Sequence, residues 1–350
     1  MVKQIAFAVP GDLATPTGGY AYDRQIIAQL RALGWRTDVL DIGDGFPRPT
    51  QDARAAACAC LAALPPGRPI VIDGLAFGVL PDAAQALHRD HPLVALVHHP
   101  LALETGLTEG EARDLRASER AALACAHRVI VTSPATGRLL EADYDVRPDR
   151  LTVVRPGVDR VAPQPRQGNG TIAILSVGAV VPRKGYDLLI AALAELVDLP
   201  WRLVIAGDRG RSPQTTQRLD ADIARLGLGG RVTFTGAVGA ERLTELYAGA
   251  DLFVLPSRFE GYGMAYAEAI VHGVPIVGTT AGAIPDTVPA GAGVLIPPDD
   301  AAALVATLRR LIERPAERAE LAAGARAAAA AFPSWRESAR LFAQVLDSLP

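Results

Sequence analysis

The sequence predicts an α/β protein of two Rossmann-like, doubly wound parallel-sheet domains facing each other across a cleft. Three observations carry this prediction. The chain has 350 residues, and at roughly 100–200 residues per domain that length suggests two. Short apolar runs alternate with longer amphipathic ones, the pattern of βαβ units. Between two such alternations stands RPGVDRVAPQPRQGNG, rich in proline and glycine and without an apolar period, which reads as a linker. The expected division is a first domain over 1–160, a second over 161–332 and a final helical segment over 333–350.

In chain order, the first half offers strands over 5–9, 37–40, 70–73, 93–97, 128–131 and 151–154, with helical patterns such as 20–33 and 111–125 between them. The second half offers strands over 172–177, 201–206, 232–235, 252–255, 275–277 and 293–296. Its helices read as 185–196, 214–226, 240–248 and 263–272, followed by an alanine-rich tail over 301–331 and then 334–346. The last helix, with Phe332, Trp335, Leu341 and Phe342, is expected to pack back on the first domain; a cap on the second domain is the competing arrangement.

Hydrophobic residues make up 49% of the chain, enough for a sizeable core in each domain. The formal charge of −3 argues against a general nucleic-acid surface. Of 35 basic residues only Lys3 and Lys184 are lysine, so Lys184 stands out against an arginine-rich background. Cys58, Cys60 and Cys125 form neither a disulfide framework nor a zinc spacing, and the C-x-C pair reads as core in a reducing cytosol. The N-terminal stretch lacks the apolar run of a signal peptide, and nothing approaches the ~20 apolar residues of a membrane span. The expectation is a cytoplasmic protein, at most peripheral on the inner membrane surface through the mixed-charge amphipathic stretch 104–128.

In open α/β sheets ligands bind outside the carboxyl ends of strands, so the loops there are the ones to read. After the first strand, Gly18 and Gly19 precede a helix starting near Tyr20; bare backbone at a helix N-terminus admits an anion, although a plain turn reads the same way. After the fourth strand stand His98 and His99, either donors to a ligand hydroxyl or phosphate or capping residues. No set of acids and histidines shows metal-like spacing, and no metal or cofactor is expected. After the first strand of the second half, Gly178 leads to Arg183 and Lys184, two cations of different geometry suited to a diphosphate, or else a solvated basic turn. Gly207 and Asp208 follow the next strand; Asp208 reads equally as a turn residue.

The stretch SRFEGYGMAYAE places Glu260 before a helix and Glu268 about one and a half turns into it, by ~3.6 residues per turn. Its glycine-rich start, with Gly261, Tyr262, Gly263 and Met264, offers backbone N–H groups to phosphate oxygens. A carboxylate repels phosphate, so the two acids suit vicinal hydroxyls, each accepting paired hydrogen bonds. The plainer alternatives are helix-dipole compensation for Glu260 and a buried ion pair for Glu268.

ADLFVLPSRFEGYGMAYAEAIVHGVPIV resembles the Glu, seven residues, Glu motif of the retaining glycosyltransferases of family 4, on the GT-B fold. SVGAVVPRKGYDLLIAAL is similar to that family's donor-phosphate motif and TPTGGYAYDRQIIAQLRALGW to its N-terminal glycine loop and first helix. The resemblance spans nearly the whole chain and is more specific in the second half. It implies a nucleotide-sugar donor (UDP-, GDP- or ADP-) on the second domain, a glycan, lipid or small-molecule acceptor mainly on the first, and metal-independent transfer with retention. It further implies that Arg183 and Lys184 neutralise the leaving diphosphate, that Glu268 holds the ribose, and that Glu260 meets the sugar hydroxyls with Gly261, Tyr262 and Gly263. Gly19 would approach the diphosphate and His98 the sugar, with His99 as rival and Tyr20 as a further acceptor-side candidate.

Three positions depart from the family pattern. Ala179 stands where many members carry Arg, Pro156 replaces Asn in the interdomain segment, and Asp286 stands where Glu is commoner. Two other classes remain open at this stage: a nucleotide-sugar epimerase that hydrolyses its donor, and a non-catalytic nucleotide-sugar or glycan binder.

Overall fold

The computed structural model describes residues 3–161 and 170–350, so most of the expected linker lies outside the described residues. The chain forms two compact units: residues 1–157 with 333–350, and residues 158–332.

The first unit holds a six-stranded sheet in the order β2-β1-β3-β4-β5-β6. Its strands are β1 (Gln4–Val9), β2 (Arg36–Asp41), β3 (Ile70–Asp73), β4 (Leu93–Val97), β5 (Arg128–Val131) and β6 (Leu151–Val153). The second unit holds the order β12-β11-β10-β7-β8-β9. These are β7 (Ile172–Val177), β8 (Trp201–Ala206), β9 (Val232–Gly236), β10 (Leu252–Val254), β11 (Ile276–Thr279) and β12 (Gly293–Ile296). Every strand pair in both sheets is parallel. Strands such as β4, buried at all five positions, read as unbroken apolar runs because helices cover both faces of such sheets.

Strand order locates each switch point. In the first unit β2 lies on one side of β1 and β3 on the other. In the second, β8 and β9 lie on one side of β7 and β10 on the other. The crevice outside the carboxyl ends of such diverging strands is where a doubly wound sheet takes its ligand.

The unit boundary falls at Gly157, three residues before the expected one. Val158 is buried in the second unit's core, whereas the Arg155 carbonyl accepts from Ser338 Oγ at 2.7 Å within the first. The last helix, Trp335–Asp347, belongs to the first unit, with Phe342 stacked 6.4 Å from Phe7 and Trp335 edge-on to Tyr22 at 5.9 Å. Leu341, expected to pack, is 38% exposed. The tail expected as one helix over 301–331 breaks into Ala301–Glu313, Pro315–Ala328 and a short turn. Pro315 has no N–H to continue the ladder and pushes Arg314 out of helical geometry, to φ −112 and ψ 87. The three cysteines are free, and Cys58 and Cys60 are half-buried at the edge of the first core rather than inside it. No helix among the described residues is long and apolar enough to cross a membrane.

Candidate functional site

Both switch points carry ionic clusters. In the second unit the loop after β7 ends in a 3-10 turn, Pro182–Lys184, and the loop after β10 runs from Leu255 to Gly263. The turn lies tight against the second loop because Gly185, at φ 69, has no Cβ; one there would overlap the Pro256 carbonyl. Lys184 Nζ donates to Glu260 Oε1 at 2.6 Å. Arg183 donates from one terminal nitrogen to the Phe259 carbonyl at 2.8 Å and to Glu260 Oε2 at 3.3 Å. Ser257 Oγ donates to Glu260 Oε1 at 2.7 Å. Arg258 stitches the two loops from outside, meeting the Pro182 carbonyl, Asp187 and Asp299.

Burial alone would raise the Glu260 carboxyl; the Lys184 ammonium and the Arg183 guanidinium outweigh it and hold the group down to about 2. Glu260 is therefore the counter-ion of the two cations. The sequence had offered sugar hydroxyls or the helix dipole for it. Two cations against one carboxylate leave a single positive charge, and Arg183 Nε is buried with no acceptor among the described residues. The cluster thus has charge and at least one N–H to offer an anion.

Glu268 sits in the helix Met264–Val271, which starts from Gly263 in the left-handed region without a side-chain cap. Its Oε2 accepts from Tyr247 Oη at 2.8 Å, and the Tyr247 ring stacks on His272 at 4.9 Å. Burial lifts the Glu268 carboxyl to about 7, against the Tyr247 hydrogen bond. The buried ion pair offered as an alternative does not form: no salt bridge to Glu268 occurs among the described residues. Gly261, Tyr262 and Gly263 are buried and Met264 is half-buried at the helix start. Gly178 packs against the Lys184 stem and its carbonyl accepts from Tyr186 at 2.8 Å. Gly207 donates to the Gly236 carbonyl, and Asp208 accepts from Gly210 N at 2.7 Å, the turn role foreseen as its alternative.

In the first unit the helix Gly18–Ala32 begins at Gly18, two residues earlier than expected, with Thr17 Oγ1 accepting from Tyr20 N. Tyr20 is buried and its hydroxyl donates to the Pro10 carbonyl, so it braces the loop rather than facing outward. His99 Nε2 meets Glu104 Oε1 at 2.5 Å. His98 packs on Gly19, where a Cβ would come 3.2 Å from its Cδ2. Its Nε2 lies 3.2 Å from Asp23 Oδ1 and 3.4 Å from Asp73 Oδ2.

Asp23 and Asp73 were not anticipated. Asp73 ends β3, and the rule of reading strand ends could have found it. Asp23 shares the buried face of its helix with Ile26, Ile27 and Leu30, an acid on an apolar stripe. Among the described residues, Asp23, Asp73 and His98 are the one set of acids, histidines and cysteines converging closely enough to hold a metal ion, within 4.8 Å of one another.

The family profile described as Glycosyl transferases group 1 matches residues 160–328, and the one described as Glycosyltransferase Family 4 matches 70–161. The MMP alpha-(1->4)-mannosyltransferase of Mycolicibacterium hassiacum is 33% identical over 316 residues, covering 84% of this chain and 74% of that protein. D-inositol 3-phosphate glycosyltransferase 1 of Catenulispora acidiphila is 32% identical over 281 residues, covering 73% of this chain and 66% of that protein. The chain spans 63% of the Nocardioides D-inositol 3-phosphate glycosyltransferase that it also matches. Among solved structures, sucrose-phosphate synthase from Thermosynechococcus elongatus superposes with a TM-score of 0.83 at 22% identity, covering 99% of this chain and 98% of that one. Anabaena HepE, solved with UDP and glucose, superposes at 0.78 with 21% identity, covering 99% of this chain and all of that one.

Two parallel α/β units of this topology have the GT-B fold. The chain belongs to the glycosyltransferases of family 4.

Proposed function

We propose that the protein transfers a sugar, with retention and without a metal ion, from a nucleoside-diphosphate sugar on its second unit to a small hydroxyl-bearing acceptor held mainly by its first. The observation that carries this reading is the Arg183–Lys184–Glu260 cluster at the β7/β10 switch point. When the bond between the sugar's anomeric carbon and the diphosphate oxygen breaks, negative charge grows on the diphosphate. Lys184 and Arg183 exchange part of their bond to Glu260 for those oxygens, and the buried Arg183 Nε–H gains an acceptor. Glu260 and the ionised form of Glu268 accept from sugar and ribose hydroxyls. The acceptor oxygen forms the new bond on the same face, and its proton passes to the departing diphosphate.

UDP and glucose in HepE and the α linkage in the mannosyltransferase's name support a nucleotide-sugar donor and an α product. The inositol phosphate in the second relative's name favours a small polar acceptor over a polymer. A thermal-shift screen with UDP, GDP, ADP and their sugars, followed by nucleotide release after EDTA treatment with candidate acceptors, tests the reading. One nucleotide class should stabilise the protein, and release should require the acceptor and give an α-linked product by NMR. Nucleotide release at the same rate without acceptor would move the assignment to a hydrolysing epimerase, and loss of turnover in EDTA would remove metal independence.

A further inference from the structure

We propose that Asp23 and Asp73 are positioning residues that hold His98 doubly protonated, its Nε2–H engaged by the two carboxyls and its Nδ1–H left as a cationic donor toward an oxygen of the substrate. His98 then serves as a fixed donor and does not receive the acceptor's proton. The inference rests on the reading that His98 meets substrate.

The geometry assigns the protons. Asp73 Oδ1 accepts from Leu75 N at 2.7 Å and its Oδ2 lies 3.4 Å from His98 Nε2 as an ion pair, an arrangement that favours the ionised carboxylate. Asp23 is fully buried, and its Oδ2 has no donor among the described residues. A fully buried carboxyl beside a second carboxylate is costly to ionise, so Asp23 is the acid that keeps a proton, up to about pH 7. With Asp23 neutral and Asp73 charged, a cationic His98 makes the cluster neutral overall. The groups facing His98 are Asp23 and Tyr22 from the helix Gly18–Ala32, Asp73 from the end of β3 and Thr132 from the end of β5. Tyr22 meets its ring edge-on at 5.4 Å with the hydroxyl directed to the Val154 carbonyl, and Thr132 donates to its carbonyl. None of these occupies Nδ1, and the His98 side chain keeps 19% exposure.

The direction of each titration agrees. Burial would lower the His98 imidazolium, yet the two carboxyls carry it up to about 10. Burial raises Asp23 to about 7 despite His98, while Asp73 lies below its ordinary range because His98 and Leu75 N outweigh its burial.

The test is side-chain ¹⁵N NMR of His98 in the full chain at pH 7.5, with H98Q to assign the signal. Wild type, D23N and D73N should show a doubly protonated ring, because either acid alone still pairs with it. D23N/D73N should show a neutral one. In the double variant kcat/KM should fall about 10- to 100-fold at pH 8 and recover toward pH 6, where the imidazolium re-forms; a merely structural loss would lower activity equally at both. A singly protonated His98 in wild type would overturn the proposal whether or not the double variant folds, and so would tight stoichiometric zinc binding by wild type that D23N or D73N alone weakens. A ring that loses its proton with transfer unchanged at pH 8 would instead remove the substrate contact on which the proposal stands.

Discussion

The two switch points carry clusters of opposite composition. At β7/β10 two cations, Arg183 and Lys184, enclose one carboxylate, Glu260. At β1/β3 two acids, Asp23 and Asp73, enclose one base, His98. The first cluster, counted over these three side chains, carries a net positive charge suited to an added anion. The second reaches neutrality within itself by keeping one proton on a carboxyl. The same topological position therefore does different electrostatic work: one unit is prepared to receive charge, the other to fix the charge state of a single donor. An ammonium or guanidinium stays charged across the physiological range, whereas a carboxyl pair around a histidine can trade a proton.

The largest effect should come from breaking the cationic cluster. K184A removes the shorter of the two ion pairs to Glu260 and half of the charge facing the departing diphosphate. Loss of one such donor costs about 10²–10³ in kcat. Arg183 and Ser257 still hold Glu260, so circular dichroism should report an intact fold. Wild-type turnover in K184A would sink both the assignment and the contrast.

E260Q sharpens the comparison from the other side, since it strips the counter-ion and leaves the cations. Glu260 is held at about 2 against an ordinary 4.5, a depressed carboxyl. Its contribution to stability is present above pH 4.5 and is lost as pH falls through 2. That depression corresponds to about 3 kcal/mol at pH 7. Denaturant unfolding should show E260Q weaker by that order at pH 7, with the gap narrowing below pH 4.5. A gap independent of pH would mean that packing, not the ion pair, gives Glu260 its value.

How much of this was legible beforehand follows the same contrast. The central strands were readable because buried parallel strands are apolar runs bounded by turns, whereas edge strands such as Arg36–Asp41 are part polar and part exposed. Leu93–Val97 and Trp201–Ala206 could be placed from sequence alone. Arg183, Lys184, Glu260 and Glu268 were legible because they lie in loops, or one turn into a helix, beside a strand end, within a family motif. Their mutual pairing was not, because it depends on β10 lying next to β7 although β8 and β9 intervene in the chain. Asp23 and Asp73 escaped for a related reason: they stand 75 and 25 residues from His98, and only the β1-β3-β4 order joins them. Asp23 also lies inside a helix that reads as ordinary core. The break at Pro315 was legible in principle, since proline ends a helical ladder, but the alanine-rich composition on both sides masked it.

Glu119 supplies the limiting case of a carboxyl with neither a cation nor a second acid beside it. It lies on the helix Glu109–Ala124, buried, with Oε2 accepting from Leu101 N at 3.0 Å and Oε1 without a partner among the described residues. Burial pushes its carboxyl up to about 8, with the Leu101 N–H pulling the other way. A raised acid favours the fold only while protonated, so its contribution is full below the ordinary 4.5 and is lost as pH rises through 8. In E119Q the amide oxygen still accepts from Leu101, while the amide nitrogen puts two donors where Oε1 has no partner among the described residues, a cost of about 1–3 kcal/mol if they stay unpaired. The two terms oppose each other. E119Q should be less stable than wild type near pH 5 and should close or reverse that deficit by pH 8, by about 1 kcal/mol in either direction. Melting temperatures at the two pH values measure it. A deficit that stays constant would show that the unfolded and folded carboxyls titrate alike, and that an isolated buried acid in this unit, unlike Asp23, keeps its charge.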